Sequence, residues 1–226
     1  MAMSVEQFIM QFSTVPLAGA CAVGLVRYRR LETTRRYLVW LSWLALLVTG
    51  VAAWFASHHR PNLFLAPIDT AIELTLLGLM YRRALEPLAV ARYVPPGIGL
   101  FLLGTALSYS PRLDTVQFSP VQHFIESIAI MGLALYYLRQ LLQPPVTMAP
   151  LEREPMFWVS AGALLYFAGN SLIFLTSNLT LAHSRAMSMS VWAVHALLYS
   201  FLNGFYIVAL SVTPLPAAPG PGVTQS

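Results

Sequence analysis

The sequence predicts an all-α fold, a polytopic membrane protein built as a seven-transmembrane-helix bundle. Three observations carry this. The 226-residue chain is 57% hydrophobic and 10% charged, with a mean hydropathy of +0.65, whereas soluble domains carry about 25% charge. Its apolar residues fall into seven stretches near the length that a helix needs to cross about 30 Å of hydrocarbon. Ten of the 13 arginines lie in the loops that alternating spans place on one side, as the positive-inside rule describes.

The spans follow in order. Span 1 covers about 5–26 and is followed by Arg27, Arg29, Arg30, Arg35 and Arg36. Pro16 inside it predicts a kink, with neighbouring helices satisfying the freed carbonyl. The leading MAMSVEQ has no basic n-region, so span 1 reads as an uncleaved helix whose N-terminus lies outside. Span 2 covers about 37–56. Span 3 covers about 63–81 and is closed by Arg82 and Arg83, with Arg92 further on. Span 4, about 93–109, is the shortest. Span 5, about 120–142, opens on Ser119 as N-cap with Pro120 at the first helical position, and holds Arg139 in its last turn. Pro144, Pro145 and Pro150 break the chain before span 6, about 156–177, which Arg153 precedes. Span 7 covers about 189–212. Residues 1–212 thus form one transmembrane domain. Residues 213–226, with Pro214, Pro216, Pro219 and Pro221, read as an extended, disordered cytoplasmic tail.

This arrangement puts the arginine-rich loops and the C-terminus in the cytoplasm, and leaves only Arg60, Arg112 and Arg185 on the other side. Trp40 and Trp158 fall at inner boundaries, and Trp54 and Trp192 at outer ones; an aromatic belt or ordinary helix packing accounts for them.

Several classes are excluded. The basic balance does not point to nucleic acid, because the arginines cluster at span ends; the surface they suit is a lipid bilayer. The chain has no lysine, so no retinal Schiff base can form. Cys21 is the single cysteine and lies in span 1, which rules out an intrachain disulfide. No glycine-rich phosphate loop, CxxC, HExxH or nucleophile elbow occurs.

The functional signal is the set of polar groups inside the spans, since ionisable side chains there cost about 2.5–3.5 kcal/mol each on insertion scales. Asp69 and Glu73, four apart on span 3, share a helix face, as do His123 and Glu126, three apart on span 5. Span 6 adds Asn170 and Ser171, and span 7 adds His195 and Asn203. At about 1.5 Å per residue, Asp69, His123, Glu126 and His195 lie within roughly 10 Å of the outer edge, Asn170 slightly deeper and Glu73 near mid-membrane. Four helices therefore bring polar groups to the outer half, as an outward-opening pocket requires. Each group also has a structural reading. Asp69 can face headgroup water, and His123 can be interfacial. Asn170 and Asn203 can bond between helices. His195 can be a satisfied core histidine, and Glu73 and Glu126 can be protonated acids donating to a backbone or amide oxygen.

Spans 3 and 5 share a pattern. IELTLLGLMYRRALEP from Ile72 and IESIAIMGLALYYLRQLLQP from Ile125 both begin Ile-Glu, pass a glycine and end in Tyr, Arg, Leu and Pro. A duplicated helix pair or the general likeness of apolar sequences explains it.

The segments EPMFWVSAGALLYFAGNSLIFLTSN from Glu154 and VWAVHALLYSFLNGFYIVAL from Val191 carry a resemblance. With Pro155, Phe157, Trp158, Gly169 and Asn170 in span 6, and Trp192, His195 and Asn203 in span 7, the chain resembles a group of uncharacterised seven-span membrane proteins of Bacteroidetes-type bacteria. Glu73 and Glu126 also fit that group's pattern, whereas Asp69 and His123 depart from it. The resemblance implies a seven-helix fold and a place in the bacterial cytoplasmic membrane, and no activity.

Three functions fit these residues. The first is a sensor or receptor that binds a small molecule or a proton through Asp69, Glu73, His123, Glu126, Asn170, His195 and Asn203, and signals to a cytoplasmic partner. The second is a membrane-embedded hydrolase of a lipid-borne substrate, with His123, Glu126 and His195 as metal ligands and Glu73 or Asp69 as base. The third is proton-coupled transport, which requires a polar path inward past Glu73; the inner halves of spans 3 and 5 are instead mostly Leu, Ile, Met, Ala and Tyr.

Overall fold

A computed structural model describes residues 4–110, 120–143, 150–183 and 185–213, with side chains described outside 174–186. Ser119, Pro144, Pro145 and the tail prolines from Pro214 onward, each singled out by the sequence, lie outside the described residues. Eight α-helices are present: α1 (Val5–Phe12), α2 (Thr14–Arg27), α3 (Thr33–Ser57), α4 (Ala66–Ala84), α5 (Val94–Ser108), α6 (Pro120–Leu141), α7 (Pro155–His183) and α8 (Arg185–Ser211). No strand occurs among the described residues. Seven stretches are long and apolar enough to cross a membrane, α1 and α2 together forming the first. The protein is a multi-pass helical membrane protein.

Span 1 is broken rather than merely bent. The break falls at Ser13, three residues before Pro16, because the proline ring cannot sit against the turn that precedes it. The Ser13 hydroxyl donates to Met10 O at 2.7 Å, and the Thr14 hydroxyl to Gln11 O at 2.9 Å. Ser4 caps α1 with a reciprocal Ser4–Gln7 capping box. Helix α3 starts at Thr33, earlier than the apolar run suggests, since Arg35 and Arg36 already lie on its first turns.

Six of the spans close a ring. Helix α2 packs on α3, α3 on α4, α4 on α6, α6 on α7, α7 on α8, and α8 back on α2. Helix α5 stands outside and packs on α4 through Val94, Ile98 and Phe101, whose spacing puts them on one face. Gly78 permits this approach: a Cβ there would meet Ile98 Cδ1 at 2.9 Å. The rest of α5 presents Leu100, Leu103 and Leu107 outward, as a lipid-facing surface does.

Span ends meet as alternation demands. Arg27, at the end of α2, donates to Ser211 O at the end of α8, and Arg35 Nη1 donates to Val212 O at 2.7 Å. Both cations thus meet the negative end of the α8 dipole. At the same end, the Tyr137 hydroxyl donates to Glu154 Oε1 at 3.0 Å, and Trp158 Nε1 donates to Glu152 O at 2.8 Å. This half of the ring is filled by an apolar core that includes Leu77, Met80, Tyr81, Ile130, Val159, Phe167, Leu202 and Leu210, all at most 1% exposed.

Candidate functional site

The half of the ring away from Arg27 and Arg35 encloses a cavity of about 210 Å³. Its walls are Thr49 on α3, Ala66, Asp69 and Glu73 on α4, His123 on α6, Tyr166 on α7, and Trp192, His195 and Tyr199 on α8. The four polar helices inferred from sequence are therefore neighbours, and α3 joins them. Asp69, Glu73, His123 and His195 share one cavity.

Helical spacing explains the grouping. Asp69 and Glu73 lie on one stripe of α4, and Trp192, His195 and Tyr199 lie on one stripe of α8 at offsets of three and four. Below the cavity, Asp69, Glu73, Tyr166 and Tyr199 also border a void of about 20 Å³, together with Ser42, Asn203 and Tyr206. Asn203 thus belongs to the same polar interior, one turn beyond Tyr199, and its Nδ2 donates to Tyr199 O at 2.9 Å.

Two predicted residues act from behind the wall. Asn170, 2% exposed, places Oδ1 2.6 Å from Nδ1 of His195. An amide oxygen only accepts, so Nδ1 of His195 carries the proton and, in a neutral ring, Nε2 is the acceptor. The His195 ring also meets Trp192 edge-on at 5.4 Å and stacks with Tyr199 at 6.4 Å. Glu126, 1% exposed, lies behind His123, with Oε2 3.4 Å from His123 Nδ1 and Oε1 without a hydrogen bond to any described residue. Thr70 Oγ1 also approaches that ring, 3.0 Å from Nδ1 and 3.2 Å from Nε2. The Thr70 hydroxyl donates its own proton to Ala66 O at 2.9 Å, so its oxygen accepts from the imidazole. Thr70 and His123 are 53 residues apart, and each lies two residues before one of the two similar segments, which begin at Ile72 and Ile125.

Asp69 and Glu73 differ from these held groups. Neither makes a hydrogen bond or ion pair with a described residue, and both are half-buried on the cavity wall. The carboxyls of Asp69, Glu73 and Glu126 are close enough to feel one another's charge. No arginine whose side chain is described lines the cavity.

Among the described residues, no three His, Cys, Asp or Glu side chains are grouped to hold a metal ion. The His123, Glu126, His195 set contains one close pair, and His195 is turned to Asn170. The sequence left Trp192 to an aromatic belt or to helix packing, and the structure places it on the cavity wall. Sequence reasoning missed Thr49, Thr70, Tyr166 and Tyr199. The available signal was the stripe Trp192, His195, Tyr199, Asn203, and Tyr166 one turn before Asn170.

Comparison with known protein families, curated proteins and solved structures finds no match. The fold and site define a class, a multi-pass helical membrane protein with a polar cavity between its helices.

Proposed function

We propose that the protein is a membrane-embedded sensor of receptor type that binds a small polar molecule in the cavity among α3, α4, α6, α7 and α8. One observation carries the reading: Asp69 and Glu73 stand side by side on a cavity wall inside the membrane, without a partner among the described residues. Intramembrane carboxylates are costly and ordinarily pair with a neighbour or serve a ligand. The cavity volume is below the ~300–1,000 Å³ of pockets for drug-sized ligands, so the ligand is small.

The arginine distribution supports an orientation with the cavity end outward and the Arg27–Arg35 end in the cytoplasm. Helix α8 links the two ends. It lines the cavity with Trp192, His195 and Tyr199, and its last carbonyls are held by Arg27 and Arg35. A ligand bridging α4 and α8 shifts α8 in its packing, and a cytoplasmic partner reads the change at the arginine-bearing loops.

Two assays test this reading. In the first, purified protein in lipid nanodiscs is screened by thermal unfolding against small cationic, anionic and neutral solutes; at least one class raises the midpoint, and Glu73→Gln abolishes the rise. In the second, crosslinking in native membranes captures a cytoplasmic protein. A flat thermal screen across all three classes overturns the binding site. Crosslinking that repeatedly recovers only the chain itself overturns signalling through a partner.

A polar path past Glu73 does extend to Ser42, Asn203 and Tyr206, which bears on transport. One turn beyond Tyr206, Leu210 is wholly buried in the apolar core with Leu77, Met80 and Ile130. The path has a floor, as a binding site does.

A further inference from the structure

We infer that the occupant of the cavity is a small organic cation, an alkylamine or quaternary ammonium; this rests on the binding reading above and deepens it. The acidic groups and the aromatic lining of the wall converge on it.

The wall is acidic, with two carboxyls among its lining residues. Of the three carboxyls, Glu126 has its Oε2 3.4 Å from His123 Nδ1, whereas Asp69 and Glu73 have no such contact among the described residues. The described arginines do not line the cavity. Asn170 fixes the proton of His195 on Nδ1 without requiring that ring to be charged. A ligand that brings a positive charge against Asp69 and Glu73 supplies what the wall lacks, in a low-dielectric setting that strengthens the attraction.

The walls select the kind of cation. Tyr166, Trp192 and Tyr199 contribute three aromatic side chains to the lining, and the rings of Tyr166 and Tyr199 lie 6.0 Å apart. Aromatic faces attract alkylammonium groups, whose apolar surface a hydrated metal cation lacks. The lining of a cation subsite for Na⁺ or Ca²⁺ would be rich in carbonyl oxygens and carboxylates instead.

The site also holds buried polar groups without partners. The Tyr206 hydroxyl, on a residue 3% exposed, has no hydrogen bond to a described residue, and Tyr206 borders the void that Asp69 and Glu73 share. Glu126 Oε1, on a residue 1% exposed, is likewise unpartnered beside the cavity residue His123. Such groups are costly when left unmatched; Tyr206 borders the void below the cavity and Glu126 stands behind its wall, so neither touches the occupant directly.

The test measures tryptophan fluorescence and thermal midpoint of the full chain in nanodiscs against choline, against its uncharged carbon isostere 3,3-dimethylbutan-1-ol, and against acetate. Choline is expected to quench the Trp192 signal saturably and raise the midpoint, with the isostere at least about tenfold weaker and acetate inactive. Glu73→Gln and Tyr199→Leu should each weaken choline by about tenfold or more, with Gly204→Ala unchanged, since nothing lies within 4 Å of a Cβ there. If Glu73→Gln fails to fold, Asp69→Asn provides the same readout. Equal binding of choline and its isostere, or binding of acetate alone, overturns the cation inference while leaving a small-molecule site. Absence of any effect from all three overturns both.

Discussion

Asn170 on α7 and His195 on α8 are joined at 2.6 Å between the amide oxygen and the imidazole Nδ1, with the amide 2% exposed. This contact sets the tautomer of a cavity residue from outside the cavity, and it crosses the most intimate helix pair of the ring.

Asn170→Ala removes the acceptor and frees the His195 ring to turn. Interhelical hydrogen bonds in membranes average about 0.6 kcal/mol and reach about 1.7 kcal/mol, so unfolding in a mixed-micelle titration should show a loss within that range. Ligand binding should fall further than stability does. Asn170→Asp, which keeps an acceptor, should retain binding better than Asn170→Ala.

The α7–α8 seam depends on small residues. A Cβ on Gly162 would sit 2.8 Å from Phe205 Cβ, at the rigid root of that side chain. A Cβ on Gly169 would meet Leu198 Cδ1 at 2.5 Å, which is the flexible end of a side chain. Gly162→Val should therefore cost about 1–3 kcal/mol through overpacking, and Gly169→Ala less, because Leu198 can change rotamer. Comparing the two denaturation midpoints checks the order.

The fold was legible because a membrane imposes a simple code. Apolar length, proline breaks and arginine placement each act through one strong term, the cost of polar groups in hydrocarbon. The break at Ser13 was harder to see, since Pro16 announces a bend without saying where the chain turns. The polar set Asp69, Glu73, His123, His195 and Asn203 was legible for the same reason as the spans. Tyr166, Trp192 and Tyr199 were not, because an aromatic in a span serves lipid, core or ligand equally well until its neighbours are known. That Asn170 and Glu126 stand behind the wall rather than on it depends on helix rotation, which apolar periodicity leaves loose when lipid and core are both hydrophobic. The position of α5 outside the ring was hidden too, as apolar length alone does not say which helices enclose the others.

Tyr81 and Ser160 form an isolated buried pair, both wholly enclosed, with their oxygens 3.1 Å apart. Tyr81→Phe and Ser160→Ala should each destabilise by about 0.5–1.5 kcal/mol. The double variant should cost less than their sum, since neither partner is then left behind. Equilibrium unfolding of the three variants measures that coupling.

Arg35 is 5% exposed yet reaches both Val212 O at 2.7 Å and Glu32 Oε1 at 3.2 Å. Arg35→Leu should loosen the end of α8 and raise hydrogen exchange over residues 208–212. Arg83→Gln, which removes an exposed charge 4.0 Å from Glu86, should leave exchange and stability unchanged.

The most direct measurement uses Thr49→Cys on the cavity wall, in a Cys21→Ala background that removes the one native thiol. Two methanethiosulfonates of similar size, one bearing a trimethylammonium and one a sulfonate, are applied to the protein in nanodiscs. An open, acidic cavity makes the cationic reagent react faster by about tenfold or more, with Asp69→Asn and Glu73→Gln together erasing the difference. Equal rates for the two reagents, or no reaction of the introduced thiol with either, would contradict a ligand site built on Asp69 and Glu73.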